Sequence, residues 1–307
     1  MDLIAILQAA LPVVIALALG MLCRKTGFLS REAVDALKKL VINITLPAVL
    51  LSAFATAEYS ASTLALPVLM FALCCAALAL GFLVIRVSKM RSRLTPFLAA
   101  GAEAGMLGYV LFTLLFPDKG ASEFAILDIG QTLFVFTLFK ILISGKKDLR
   151  TIGKDMVTTP ILWAVAAGVL IGATGLYGMM ARTGVSNIFD GVTSFVSAPT
   201  GMVILLTVGY DLVPKEIPWR KTAGLLAMRL GIMAAIFGLG VLVNRTLLQC
   251  RVFEGALLLM CILPPPYVIP VFADEPEERV QISASLSAMT LTTMILFGAL
   301  SVWLGIQ

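Results

Sequence analysis

The chain of 307 residues contains no histidine. That absence removes the commonest metal ligand, the commonest general base and the usual physiological-pH switch. Charge is scarce too: Asp, Glu, Lys and Arg make up 13% of the residues, about half of what a soluble domain carries. The five cysteines, Cys23, Cys74, Cys75, Cys250 and Cys261, are mostly within or at the ends of apolar stretches and lack metal-site or disulfide spacing. They read as packing residues. No phosphate-cradling loop, nucleophile motif or metal cluster is present, so no cofactor or metal is expected. An intramembrane aspartyl protease is suggested only by Tyr210-Asp211, and that chemistry needs two carboxylates close together. Asp190 and Asp211 are 21 positions apart on one expected helix. At the helical rise this is roughly 31 Å, too far for a dyad.

Apolar residues dominate instead, at 60% of the chain, with a mean hydropathy of +1.01. Both figures indicate a polytopic membrane protein. Ten stretches long enough to span a bilayer lie at about 3–23, 34–56, 62–86, 96–117, 123–145, 158–178, 185–210, 222–247, 252–272 and 278–303. The first follows Asp2 with no basic segment ahead of it and is followed by Arg24 and Lys25, the reverse of a cleavable signal, so a retained span is expected.

Short connections retain Lys and Arg on the cytoplasmic side. Of 23 basic residues, 17 fall in one set of connections, including Arg24, Lys25, Arg31, Lys38, Lys39, Lys146, Lys147, Arg150 and Lys154. The opposite set holds only Lys119, Arg182, Arg245 and Arg251. This asymmetry predicts an inner (plasma) membrane protein with both termini extracytoplasmic. It also accounts for the net charge of +5 without any nucleic-acid partner.

The run CILPPPYVIPVFADE at 261–275 interrupts the ninth stretch. Pro264, Pro265 and Pro266 supply no N–H, which strips partners from the carbonyls of Met260, Cys261 and Ile262. Leu263, Pro264, Pro265 and Ile269 each precede a proline and are pushed out of helical geometry. The helix is expected to stop near Ile262 and restart near Pro266, with the N–H groups of Tyr267 and Val268 unpaired at mid-membrane. Unsatisfied groups in hydrocarbon cost several kcal/mol each, so such a break persists only inside protein or beside a wet cavity. A helix start there would suit an anion.

Internal duplication is visible as well. Gly20 and Gly172 are 152 positions apart, as are Pro47 and Pro199. The break at 264–266 has a counterpart near Gly105 to Gly108, in the fourth stretch. Five spans per half force the halves to face opposite ways, and interrupted segments at matching places point to the binding site. The expected units are 1–145, a cytoplasmic connection at 146–157, and 158–307.

The stretch LPPPYVIPVFADE (263–275) resembles the ninth span of the auxin efflux carrier family, which includes plant PIN auxin carriers and bacterial malonate-transporter-like permeases. NITLPAVLLSAF (43–54), containing Asn43 and Pro47, resembles the family's second span, and SAPTGMVILLTVGYDL (197–212), containing Pro199, its seventh. The resemblance implies an all-α fold of the bile acid symporter and PIN type, with ten transmembrane helices in two inverted five-helix repeats. It implies a scaffold of helices 1, 2, 6 and 7, a transport domain of helices 3–5 and 8–10, and a substrate site where broken helices 4 and 9 cross. The corresponding residues here are Glu103, Gly105, Gly108, Pro264, Pro265, Pro266, Tyr267, Val268 and Pro270.

One departure stands out. In EAGMLGYV, Glu103 occupies the family's asparagine position and Val110 its proline position. A fixed carboxylate would repel an organic anion unless it were protonated or paired. A protonated Glu103 could serve as the donor that the amide supplies elsewhere and couple transport to protons; the alternative is a permanent pair with a base such as Arg229. Arg229, about eight residues inside the eighth stretch, could also snorkel, as could Lys140 near a cytoplasmic end. Asp128 and Gln131 are candidate lining residues. Asp274, Glu275, Glu277 and Glu278 read as acids opening the tenth helix.

The preferred function is secondary transport of a small organic anion, a carboxylate such as malonate or an auxin-like acid, by alternating access. A ligand sensor on the same fold is the alternative, with the protease reading behind both. The expected partners are the organic acid and the lipid bilayer. A proton or sodium ion is the open choice for coupling, and a homodimer is left open.

Overall fold

The computed structural model describes residues 3–57, 59, 65–88, 93–144, 160–212, 217, 219–249, 252–272 and 276–306. The proposed connection at 146–157, and Asp274 and Glu275, lie outside the described residues. Among those described, every regular element is helical.

The helices are α1 (Leu3–Thr26), α2 (Arg31–Ala55), α3 (Ala65–Ser88), α4 (Tyr109–Leu115), α5 (Ala121–Ile143), α6 (Pro160–Ala173) and α7 (Leu176–Thr183). They continue with α8 (Val185–Ser197), α9 (Thr200–Asp211), α10 (Trp219–Thr246), α11 (Glu254–Ile262) and α12 (Pro276–Ile306). Among the described residues six helical runs are long and apolar enough to cross a membrane: α2, α3, α5, α8 with α9, α10 and α12. The pair α6 and α7 makes a seventh if its 71° bend lies within one span. Gly175, at φ +72°, produces that bend by ending α6 in a left-handed turn open mainly to glycine. The expected sixth span at 158–178 ends within α7, which continues to Thr183.

Ser30 opens α2 by accepting the N–H of Ala33. A π turn at Val41–Thr45 then precedes Pro47, whose missing N–H leaves the Asn43 carbonyl without its helical donor. The Asn43 side chain is exposed and donates to the Lys39 carbonyl at 2.8 Å. Pro199 stands at the junction of α8 and α9. Glu277 and Glu278 lie in the first turn of α12.

Close helix packing explains two of the glycines. α1 lies so near α9 that a Cβ on Gly20 would sit 2.1 Å from the Leu206 carbonyl oxygen. α6 also lies close on α2, where a Cβ on Gly172 would sit 2.7 Å from the Phe54 carbonyl oxygen. Leu206 and Phe54 are themselves 152 positions apart, so these two contacts are counterparts under the spacing of the two glycines. α3 packs on α5, and α10 packs on α3, α11 and α12.

Candidate functional site

The fourth segment is interrupted although it has no proline at position 110. A 3-10 turn at Thr95–Ala99 gives way to extended backbone at Ala100 and to Gly101 at φ +70°. A π turn at Ala104–Gly108 then leads into α4. Close approach of the other break demands both glycines. A Cβ on Gly101 would meet Pro266 at 3.0 Å, and one on Gly108 would meet Leu263 at 2.9 Å and the Phe124 ring at 2.7 Å.

In the ninth segment α11 stops at Ile262 and Leu263 is extended, as the prolines require. The chain does not restart as a helix at Pro266. It makes a turn at Tyr267 and Val268, followed by a 3-10 turn at Ile269–Phe272.

The breaks are joined through one residue. The Glu103 N–H donates to the Pro264 carbonyl at 2.8 Å, and the Tyr267 N–H donates to Glu103 Oε2 at 2.7 Å. The Tyr267 N–H, expected to be unpaired, is thus held by the side chain of Glu103. The Tyr267 hydroxyl in turn lies 3.0 Å from Thr290 Oγ1 on α12.

Breaking two helices releases carbonyls that must find donors in a medium without water. Arg229, 3% exposed, supplies donors to three of them. Its Nη1 donates to Leu98 O at 2.8 Å, and its Nη2 donates to Gly101 O at 2.9 Å and Leu263 O at 2.6 Å. One guanidinium from α10 therefore ties both interrupted segments. Neither snorkelling nor pairing with Glu103 describes it: among the described residues the hydrogen bonds of the guanidinium go to main-chain carbonyls. Gln131 on α5 takes both main-chain groups of Ala102, donating to its carbonyl at 2.5 Å and accepting its N–H at 3.2 Å. Thr293 on α12 donates to Ile262 O at 2.6 Å. Each break is thus clasped by a side chain of a following helix.

A cavity of about 740 Å³ opens beside the breaks. Its lining includes Glu103, Gly105, Pro266, Tyr267, Val268 and Pro270. Gly108, Pro264 and Pro265 do not line it but build the backbone behind it, and Asn43, Pro47 and Pro199 stand away from it. Asp128 and Gln131 also reach the cavity. Asp128 accepts from the Tyr109 hydroxyl at 3.0 Å and from Thr132 at 3.3 Å. Toward the helix ends the lining becomes basic, with Arg31, Lys38 and Lys140. There Asp211, ending α9, accepts from Arg31 Nη1 at 2.6 Å and from Lys38 Nζ. Asp190, 21 positions before Asp211, accepts instead from the Tyr177 hydroxyl at 2.9 Å.

Sequence reasoning named the breaks and Glu103 but gave no clasp role to Arg229 or Thr293, and it missed the ion-pair cluster at the mouth. The signal available was the count of freed carbonyls, each of which needs a donor from elsewhere.

The first half of the chain, residues 5–152, matches the family model of the membrane transport proteins. A relative described as an uncharacterized transporter, from Methanothermobacter thermautotrophicus, is 27% identical over 218 residues, covering 68% of this chain and 70% of the relative. Both point to the same broad class as the motifs at 43–54, 197–212 and 263–275.

Proposed function

We propose that this chain, a membrane transport protein by its family match, is a secondary transporter that carries a small organic acid through the crossing of its two interrupted segments. The observation that carries this reading is the cavity of about 740 Å³ that begins at Glu103, Gly105, Pro266 and Tyr267 and extends toward Arg31, Lys38 and Lys140. Interrupted helices beside a wet cavity at mid-membrane are what carriers use to hold a solute. The volume suits a metabolite-sized ligand. The basic residues at the mouth favour the approach of an acid.

In this reading ten segments form two inverted five-helix repeats. The matching contacts Gly20 with Leu206 and Gly172 with Phe54 support that arrangement. α1, α2, α6 to α9 form the scaffold, and the remaining helices with the two breaks move against it. In the same reading the basic mouth faces the cytoplasm, which corresponds to an inward-open arrangement in the plasma membrane.

Cysteine labelling tests alternating access. In a chain whose five native cysteines are replaced, Ser287→Cys places a thiol in the cavity lining. A membrane-impermeant thiol reagent should react from the cytoplasmic side, and more slowly from the other side as the carrier cycles. Reaction from one side only, under every imposed gradient, would contradict a carrier and favour a sensor.

A further inference from the structure

The breaks cross at a carboxyl group where an acid's own carboxylate would be expected to bind. Glu103 Oε2 accepts the Tyr267 N–H at 2.7 Å, while the main chain of the same residue is bonded to Pro264. Glu103 is therefore fixed to the second break at both its backbone and its side chain. Asp128 lines the same end of the cavity. The guanidinium of Arg229 sits behind the breaks with its hydrogen bonds committed to carbonyls, and the basic groups of the lining, Arg31, Lys38 and Lys140, belong to the mouth. An incoming carboxylate thus meets two acidic side chains at the part of the cavity beside the breaks.

We propose that Glu103 is a resident ligand of the transport site: it holds the Tyr267 N–H while the site is empty, and a solute carboxylate takes that donor only when Glu103 receives a proton. The inference rests on the reading of the chain as an organic-acid carrier and specifies how the acid is admitted. Two carboxylates side by side in low dielectric cannot both remain charged, whereas a carboxylic acid and a carboxylate form a short O–H···O hydrogen bond. The proton comes from water on the open side and ends on Glu103. The N–H of Tyr267 passes from Glu103 to the solute, and the protonated Glu103 donates its O–H to the same solute. One proton enters per carboxylate bound, and the crossing carries no net charge for a monocarboxylate.

The titratable and charged groups near Glu103 come from the packed elements: Tyr267 from the turn after the prolines, Asp128 on α5 with Tyr109 of α4 bonded to it, and Arg229 on α10 behind the breaks, while Lys140 on α5 lies toward the mouth. Arg31 and Lys38 on α2 and Asp211 on α9 stand at the mouth. Among the described residues α12 contributes the neutral Ser283, Leu286, Ser287 and Thr290 to the lining. Asp128 is the rival proton acceptor, and its bonds to Tyr109 and Thr132 distinguish it from Glu103, which is bonded to a main-chain donor.

The test is binding of a panel of straight-chain and aromatic mono- and dicarboxylates to the purified full chain, followed by thermal shift and calorimetry at pH 6.5 and 8.5. Simple carboxylic acids are ionised throughout this window. Affinity should weaken about tenfold per pH unit, a factor of about one hundred across the window, with uptake of one proton per monocarboxylate bound. Glu103→Gln should bind acids with an affinity that no longer changes with pH, since its amide is a permanent donor. Asp128→Asn should keep the wild-type pH dependence. Binding by the wild type that is equal at both pH values, or pH dependence that survives in Glu103→Gln and disappears in Asp128→Asn, overturns the role of Glu103. If no acid binds at either pH, or if amines bind instead, the organic-acid reading itself fails.

Discussion

The guanidinium of Arg229 reaches the Leu263 carbonyl at 2.6 Å, and the same Nη2 reaches Gly101, so one side chain on α10 closes both helix breaks. The consequence concerns the fourth segment in particular. Without a proline at position 110, nothing in that segment's own sequence forbids a continuous helix except the conformational freedom of its glycines. Arg229 supplies the missing constraint by rewarding carbonyls that point away from a helical partner.

Replacing Arg229 with methionine should therefore strand three buried carbonyls and cost about 3 kcal/mol or more. For a chain of this size that corresponds to a fall of about 5 °C or more in the unfolding midpoint in detergent. Arg229→Lys keeps the charge but not the planar fork, so it should recover only part of the midpoint and should bind acids weakly. A lysine variant with wild-type stability and affinity would show that charge alone matters at this position.

The glycine contacts give a second prediction. A methyl group on Gly20 would overlap the Leu206 carbonyl, and one on Gly172 the Phe54 carbonyl. Gly20→Leu and Gly172→Leu should each force a helix pair apart and destabilise by more than about 3 kcal/mol, whereas Gly178→Leu, with open space around it, should be neutral. Midpoints measured in detergent check this. Indifference at Gly172 alone would remove the packing equivalence that supports the inverted repeat.

Removing the prolines should abolish the site without expelling the protein from the membrane. With Pro264, Pro265 and Pro266 all changed to alanine, the carbonyls of Met260, Cys261 and Ile262 regain donors and a continuous helix becomes available. Acid binding should weaken by about one hundredfold or more, the equivalent of about 3 kcal/mol, while membrane extraction behaviour is unchanged. Near-native affinity in the triple variant would reduce the break to a packing feature.

Orientation is checked at two exposed positions. In the background lacking native cysteines, Lys25→Cys should react with an impermeant reagent only from the cytoplasmic side and Arg182→Cys only from outside. The reverse pattern would invert the topology and with it the direction in which the cavity opens.

Much of the architecture could be read from the chain alone, because hydropathy and proline chemistry act locally. The prolines at 264–266 fixed the end of α11 at Ile262, whereas the other interruption lies at Ala100 and Gly101, just ahead of the expected Gly105 to Gly108, which form a π turn. What could not be read was how the breaks are held. The clasps link residues far apart in sequence, 131 positions from Arg229 to Leu98 and 164 from Tyr267 to Glu103, and no periodicity records such pairings. Asp211 was weighed only as half of a proteolytic dyad, yet its partners are Arg31 and Lys38, which tie α9 to α2. Gly175 bends the sixth segment for a local reason, its left-handed backbone, that a hydropathy window does not register.

Flux in proteoliposomes tests the central claim most directly. Purified protein is reconstituted and offered labelled mono- and dicarboxylates, with amines as controls, under proton, sodium and voltage gradients imposed one at a time. The account predicts concentrative uptake of at least one small carboxylate under an inward proton gradient, and none for amines. Saturable binding of carboxylates with no flux under any gradient would contradict it and make the chain a sensor on a carrier fold.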